Sequence, residues 1–176
     1  MTIIIDPQSS GIAGNMIIAA LVDLGANPNE LKEIMEKSAY EFGGVEVKFE
    51  KIVKGGIYST FCHVEMTDKK HSVGYGEFLE KIRSLDLDEK VKSKSIKVFE
   101  RIALAESKVH GKTLDEIHFH EVGASDAVAD VIGSIYAYYS LNLDLQKIIG
   151  LPIAVGGGRA KTAHGTIPIP APAVVE

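Results

Sequence analysis

The stretch from His118 to Gly133, HFHEVGASDAVADVIG, constrains the fold of this chain more than any other part of its sequence. Its first residues predict a short strand, and a glycine at position 123 predicts a bend after it. An amphipathic helix is stable only when its apolar stripe is covered by other elements. We therefore expect the rest of the chain to pack around this strand and the helix that follows it. From about Ser125 the apolar residues recur at the helical interval and form one stripe, which consists of Val128, Val131, Ile132, Ile135 and Tyr139.

Two pairs of polar residues lie at related positions in this stretch. His118 and His120 alternate on the predicted strand, so their side chains share one face. Asp126 and Asp130 lie one turn apart on the predicted helix, on the face opposite the apolar stripe. That face continues with a glycine and an alanine, so we expect room for a ligand lying along the helix.

The residue types in this cluster predict a metal site. Imidazole and carboxylate groups are the usual protein ligands of Zn, Ni, Mn and Fe. Each residue alone has an ordinary explanation, because aspartate is favoured at a helix start and histidine is often a hydrogen-bonded structural residue. As a group they favour metal binding. The candidate ligands are His118, His120, Glu121, Asp126 and Asp130.

Composition excludes several classes of function. The chain has 176 residues, which is enough for one domain with a substantial core, and a formal net charge of −5. It offers no basic face for nucleic acid and no apolar run of the ~18 residues that a membrane span needs. Cys62 is the single cysteine, which excludes an internal disulfide and any multi-cysteine metal site. We expect a cytoplasmic protein that uses nitrogen and oxygen metal ligands.

The arrangement of apolar runs predicts an α/β fold. The β-branched run from Thr2 to Ile5 and the run from Lys147 to Ala154 both read as strands buried on two faces. Alternation between Val45 and Met66, with two glycines in the middle, predicts an antiparallel hairpin. We predict a single domain over residues 1–176, with a mixed sheet built from parallel βα units and this hairpin, and with helices packed on the sheet.

Two glycine-containing stretches are candidates for anion binding. The loop DPQSSGIAGNM connects the first strand to a helix, whose free N–H groups can bind an anion. The stretch GGGRAKTAHG places cations beside glycines, and backbone can approach a ligand closely at glycine. Both stretches are also typical of ordinary loops. The candidate residues are Ser10, Asn15, Gly157, Gly158, Arg159, Lys161 and His164.

Several of these motifs together carry a family resemblance. The stretches KVHG, HFHEVGASDAVADVIG and LPIAVGGGRAKTAHGTIPIPAPA, and the earlier GIAGNMIIAALVDLG, resemble the nickel-insertion proteins that complete the nickel-pincer nucleotide cofactor of lactate racemase. The resemblance covers nearly the whole chain. It implies an enzyme that inserts nickel into a pyridinium mononucleotide bearing two thiocarboxylate groups, a metal-inserting lyase, with Mn or Mg assisting cytidine triphosphate. It assigns no catalytic residue.

Two features depart from the family pattern. Asn15 stands where the family has aspartate, which removes a charge from any metal site there. Family members are also longer, and the resemblance assigns nucleotide binding to their C-terminal part. This chain is therefore expected to correspond to the N-terminal portion, as a fragment, a split-gene product or a shortened homologue. It would act with the C-terminal region in cis or in trans, and a homo-oligomer is compatible with the same resemblance.

Two other functions remain open on the sequence. In a metal-dependent hydrolase, His118, His120 and Asp126 would hold a metal that activates water. Alternatively, the chain is a nickel chaperone or subunit without catalytic activity, acting with a separate partner.

Overall fold

The computed structural model describes residues 2–68, 73–119, 124–162 and 165–176. It confirms an α/β fold with one parallel strand pair, antiparallel hairpins and packed helices. The strands are β1 Thr2–Ile5, β2 Val45–Lys54, β3 Ile57–Met66, β4 Val73–Gly74, β5 His118–Phe119, β6 Lys147–Gly150, β7 Arg159–Thr162 and β8 Gly165–Pro168. The helices are α1 Gly14–Asp23, α2 Pro28–Ala39, α3 Tyr75–Ser84, α4 Glu89–His110, α5 Ser125–Ser140 and α6 Pro172–Val175.

Strands β1 and β6 pair in parallel, with Ile3 beside Ile148 and Ile4 beside Ile149. Both strands therefore end at the same edge. The loop from residue 6 to residue 13 follows β1, and the loop from residue 151 to residue 158 follows β6. Ligands commonly bind at the carboxyl ends of parallel strands, so this edge positions the candidate site.

The antiparallel hairpin of β2 and β3 is confirmed, with Val45 opposite Met66 and Lys54 opposite Ile57. One face of the hairpin is buried through Val47 and Cys62, which are 0% and 1% exposed. This face packs with α1, α2 and α5 in one apolar cluster. The alternation of apolar and polar residues predicted this arrangement.

Helix α5 is shared by two apolar clusters. Ala129 and Ala137 lie in the cluster that contains α1, α2 and the hairpin. Val128 and Ile132 lie in a second cluster with α3, α4 and Phe119 of β5. The helix is thus covered on two sides, and it fixes where β5 and α1 lie relative to each other.

Helix boundaries follow local signals in the sequence. Asn27 accepts a hydrogen bond from the backbone N–H of Asn29 at the start of α2, and Asp88 does the same for Lys90 at the start of α4. Gly111 ends α4 in the left-handed conformation, with φ of 61°. None of the helices in the described ranges has the length and apolar character needed to cross a membrane.

Three sequence-based predictions require correction. Within the described residues, the strands form four separate two-stranded sheets, so no single mixed sheet joins the parallel pair to the hairpin. The predicted strand over Lys147–Ala154 ends at Gly150. The prediction that β1 and β6 are buried on both faces is wrong, because Ile4 is 62% exposed and all four residues of β6 are exposed.

The predicted open face along α5 is also wrong. A Cβ atom added at Gly133 would lie 2.7 Å from Cγ of Met35 and 3.1 Å from Cδ1 of Ile18. Ala137 is 0% exposed. The small residues after Asp130 therefore let α1 and α2 approach α5 closely, and they leave no room for a ligand along that part of the helix.

Candidate functional site

The candidate site lies where the start of α1 meets the first two turns of α5. Gly14, the first residue of α1, lies directly against Asp130 of α5. A Cβ atom added at Gly14 would lie 2.4 Å from Cβ and 2.6 Å from Cγ of Asp130. Only glycine fits at this distance, since real Cβ atoms do not approach other heavy atoms below about 3 Å. The close approach places the Asp130 carboxyl group at the N-terminus of α1.

The half-buried Asp130 carboxyl group has few hydrogen bonds to replace those it would make to water. It accepts a hydrogen bond from the backbone N–H of Asn15, but its Oδ1 atom is buried and has no hydrogen-bond partner among the described residues. Burial, and secondarily the charge of the nearby Asp126, raises the pKa of Asp130 from 3.8 to about 6, although the Asn15 hydrogen bond acts in the opposite direction. A cation near Asp130 would reverse this shift.

Asp126 lies close to Asp130, as the helical spacing predicted. Its Oδ1 atom accepts a hydrogen bond of 2.8 Å from the backbone N–H of Ala127. The other carboxylate oxygen of Asp126 accepts no hydrogen bond from the part of the chain that the structure describes. Ser125 is fully buried beside it, and the Ser125 hydroxyl is another buried polar group without a partner there. The first two turns of α5 thus hold two buried oxygen atoms, on Ser125 and Asp130, that have no partner among the described residues.

Asn15 of α1 and Cys62 of β3 lie on the side of the candidate site that faces the core. The Asn15 side chain donates a hydrogen bond of 3.3 Å to the backbone carbonyl of Cys62. Burial, and secondarily the charge of Asp130, raises the pKa of the Cys62 thiol to about 12. Cys62 is therefore a neutral thiol that packs in the core, which makes it a poor metal ligand.

His118 lies on the exposed side of β5, while the adjacent Phe119 is 2% exposed and packs in the core. β5 pairs with β4, which sets His118 opposite Gly74. His120 and Glu121 lie outside the described residues, so their predicted positions are untested. Among residues 2–68, 73–119, 124–162 and 165–176, no three His, Cys, Asp or Glu side chains come together as metal ligands.

The two loops at the carboxyl ends of β1 and β6 contact each other. The carbonyl of Pro7 accepts hydrogen bonds from the N–H groups of Gly11 at 3.1 Å and of Ala154 at 3.2 Å. Gly11 has φ of 71°, and a Cβ atom there would lie 2.8 Å from the carbonyl oxygen of Ala154. Only glycine combines this conformation with this contact. Ser10, the predicted anion contact, is exposed in the same loop.

The predicted cationic group lies on β7, which begins directly after the three glycines. Arg159 and Lys161 alternate on this strand and are both exposed, so they share its solvent face. Neither side chain forms an ion pair within the described ranges. Gly158 has φ of 99°, and its carbonyl accepts a hydrogen bond of 3.0 Å from Ile169. Gly157 lies in the loop before it, and His164 lies outside the described residues.

Sequence reasoning missed Gly14 and Cys62 as neighbours of Asp130. Nothing in the local pattern of either residue indicates which helix will pack on it. The one available indication is the run of small residues around Gly14, because small residues permit close approach between helices. The partner of that close approach becomes visible only when α1 and α5 are placed together.

Comparison with known proteins extends this description beyond the geometry. A family model described as nickel insertion protein matches residues 3–176. A protein of Methanosphaera stadtmanae named for nickel insertion is 48% identical over 99% of this chain, which corresponds to 45% of that relative. A relative from Methanothermobacter thermautotrophicus is 48% identical over 100% of this chain and 43% of its own length.

A relative from Staphylococcus epidermidis is 38% identical over 95% of this chain and 41% of its own length, and it is named pyridinium-3,5-bisthiocarboxylic acid mononucleotide nickel insertion protein. The chain therefore spans less than half the length of these curated relatives. No solved structure matches it. The family match over almost all residues, together with these identities, shows that the chain belongs to the nickel insertion protein family.

Proposed function

We propose that this chain binds nickel and presents it for insertion into a pyridinium mononucleotide that carries two thiocarboxylate groups. The observation that carries the proposal is the Asp130 carboxyl group, whose buried Oδ1 atom has no partner among the described residues. Buried polar atoms in native proteins are normally paired, and an unpaired one is a position where a bound ion or water can supply the missing partner. Family membership supports nickel as that ion.

The proposed nickel ligands belong to β5, to the start of α5 and to the residues between them in the sequence. His118 and His120 supply imidazole nitrogens, which suit nickel. Glu121, Asp126 and Asp130 supply carboxylate oxygens as ligands or as hydrogen-bond partners of the histidines. Because nickel is the cargo, a site that includes imidazole ligands is an advantage. Such a site can release the ion to the sulfur atoms of the acceptor.

The anionic acceptor is proposed to bind at the carboxyl ends of β1 and β6. The contact between the loops over residues 6–13 and 151–158 brings Ser10 near the second loop. Gly157 and Gly158 allow the backbone to approach a ligand. Arg159 and Lys161 present two cations on one face, and neither forms an ion pair with another described residue. Asn15 is proposed as a further contact at the start of α1. A mononucleotide phosphate is the group that these residues would hold.

Nucleotide use is proposed for the longer family protein as a whole. Mn or Mg binds through oxygen ligands, commonly one or two carboxylates together with phosphate oxygens. We assign cytidine triphosphate and its Mn or Mg ion to the region of the relatives that this chain does not match. This chain would then be the metal-carrying domain, with its partner region in cis or in trans.

A nickel-transfer assay tests this proposal. Nickel-loaded chain is mixed with the thiocarboxylated mononucleotide and cytidine triphosphate, with and without the remaining region of the Methanothermobacter relative. We expect the chain alone to bind nickel, to leave the nucleotide intact and to form no nickel-containing product. Product should form when the remaining region is added. Full turnover by this chain alone would contradict the division of labour, and turnover of phosphoesters without the sulfur acceptor would favour a hydrolase.

A further inference from the structure

The parallel strand pair exposes more apolar surface than such a pair normally does. Parallel strands occur almost entirely with both faces covered. In this chain Ile4 is 62% exposed and Ile5 is 40% exposed on β1. On β6, Ile148 and Ile149 are each 37% exposed. Because strand side chains alternate, Ile4 and Ile149 lie on one face of the pair, and Ile5 and Ile148 lie on the other. We call these four residues, which together cover both faces, the isoleucine surface.

The isoleucine surface continues into an apolar groove. In the register of the pair, Ile4 lies beside Ile149, so both side chains point to the same outer face. The groove has a volume of about 550 Å³. It is lined by residues of β1, β6, α1, α4 and α5, including Met16, Val98 and Ile135, and at one end by the loop after β1 with Ser10. In the described part of the chain, no other strand pairs with β1 or β6, so both outer edges are free for strand addition.

Two features indicate that a polypeptide covers this surface. A two-stranded sheet is marginally stable unless further strands or a helix pack on it. Each face of the pair also exposes two neighbouring isoleucines, and exposed apolar patches are typical of protein interfaces. A small polar ligand would leave the isoleucines exposed to water. The surface therefore fits an apolar polypeptide segment that can add a strand and fill the groove.

We propose that the isoleucine surface is the docking site for the region of the longer family chain that this chain does not match. The relatives are 38–48% identical to this chain, yet the matched part makes up only 41–45% of each of them. In those relatives, the same domain is joined to a polypeptide larger than itself. In those relatives, that polypeptide is present at high effective concentration beside the domain. This inference extends the proposed function, which assigns nucleotide use to that region.

Cysteine labelling tests the proposal without nickel and without any activity measurement. Cys62 gives little background, because it is 1% exposed and the pKa of its thiol is raised to about 12. The probe position is Ile4→Cys on the isoleucine surface. The matched control is Val53→Cys, at an apolar position that is 69% exposed at the tip of the hairpin. Each variant is labelled with a thiol reagent in this chain alone and in this chain joined to the unmatched region of the Methanothermobacter relative.

We expect Ile4→Cys to react at least about tenfold more slowly in the joined protein, while Val53→Cys reacts at the same rate in both. Ile149→Cys should behave as Ile4→Cys does, so the outcome does not depend on one variant. Equal labelling of Ile4→Cys and Ile149→Cys in both proteins would overturn the proposal. Slow labelling in the chain alone that becomes faster on dilution would also overturn it, because a second copy of the chain would then be the occupant. Nickel is not present, so a failure of nickel binding would leave this result unaffected.

Discussion

At the scale of single residues, Asp130 combines an unfavourable buried position with a proposed functional role. Its carboxyl group satisfies the N–H of Asn15 at the start of α1, yet its other oxygen is buried without a partner among the described residues. A carboxyl group whose pKa is raised on folding makes the folded protein less stable when that group is ionised. Functional sites often retain such unfavourable groups because the ligand compensates for them.

The first prediction is that Asp130→Asn stabilises the nickel-free chain above pH 6. The amide oxygen can still accept the Asn15 hydrogen bond, and the buried charge is removed. The pKa of Asp130 is 3.8 when unfolded and about 6 when folded, so its ionisation disfavours folding increasingly as pH rises from 3.8 to 6. We expect a gain of roughly 1–2 kcal/mol at pH 8 after allowance for solvent screening, and little difference near pH 3.5. Urea unfolding of both proteins at the two pH values measures this.

The same variant separates the structural role of Asp130 from its proposed role in nickel binding. If Asp130 contributes an oxygen to nickel, Asp130→Asn should bind nickel more weakly while being more stable. Unchanged nickel affinity in a stabilised variant would restrict Asp130 to the packing of α1. A loss of stability at pH 8 would contradict the assigned cause of the raised pKa.

Asp23, at the other end of α1, provides the opposite case. Hydrogen bonds lower the pKa of Asp23 to about 2, the largest effect coming from Lys51, followed by the Thr60 hydroxyl at 2.6 Å and the Thr60 N–H at 2.9 Å. Its stabilising contribution is present above pH 3.8 and is lost as pH falls toward 2. We expect Asp23→Asn to lower the free energy of unfolding at pH 7 by about 1 kcal/mol, since the site is partly exposed. Unfolding curves at pH 7 that match those of the wild type would contradict this.

At the scale of elements, the contact between α1 and α5 determines the geometry of the candidate site. Gly14→Ala places a methyl group 2.4 Å from Cβ of Asp130, so the two helices must separate. We expect a loss of about 1–3 kcal/mol, as for other overpacked sites. Nickel affinity should also fall, because the added methyl group displaces the Asp130 side chain from its position at the start of α1. Thermal unfolding and nickel titration of the variant measure the two effects.

Gly76→Ala is the matched control for that variant. Gly76 is in α3, and a Cβ atom there would meet nothing within 4 Å. Alanine is the better helix former, so this change should leave stability unchanged or raise it by up to about 1 kcal/mol. If both variants lost the same stability, close packing against Asp130 would not be the reason.

The sequence predicted elements better than it predicted their surroundings. The periodicity of residues 125–140 located α5, and the spacing of Asp126 and Asp130 correctly placed both on one face. The spacing of residues in α5 could not show that the same face is covered at Gly133, because the covering residues Ile18 and Met35 come from helices that are distant in the sequence. Likewise, the β-branched runs located β1 and β6. Their burial was wrongly predicted because burial depends on the neighbours of the strand pair, which a run of isoleucines does not specify.

At the scale of the whole molecule, α5 organises the fold more than any sheet does. It separates two apolar clusters and contributes buried residues to each. Its first turn faces the start of α1, and β5 with His118 lies on the side of the second cluster. The motifs that carry the resemblance to nickel-insertion proteins thus supply the central helix and both loops at the carboxyl ends of the parallel pair. The core and the proposed site therefore depend on the same segments of sequence.

The central claim is that this chain binds nickel through residues of β5, of the start of α5 and of the sequence between them. Calorimetric titration with nickel tests it directly on three proteins: the wild type, the double variant His118→Ala/His120→Ala, and His63→Ala. His63 is the matched control, because it is a partly exposed strand histidine that already pairs with Glu50 at 2.6 Å. We predict tight binding by the wild type and by His63→Ala, and loss of tight binding in the double variant with its thermal unfolding unchanged. Unchanged nickel affinity in the double variant would contradict the claim.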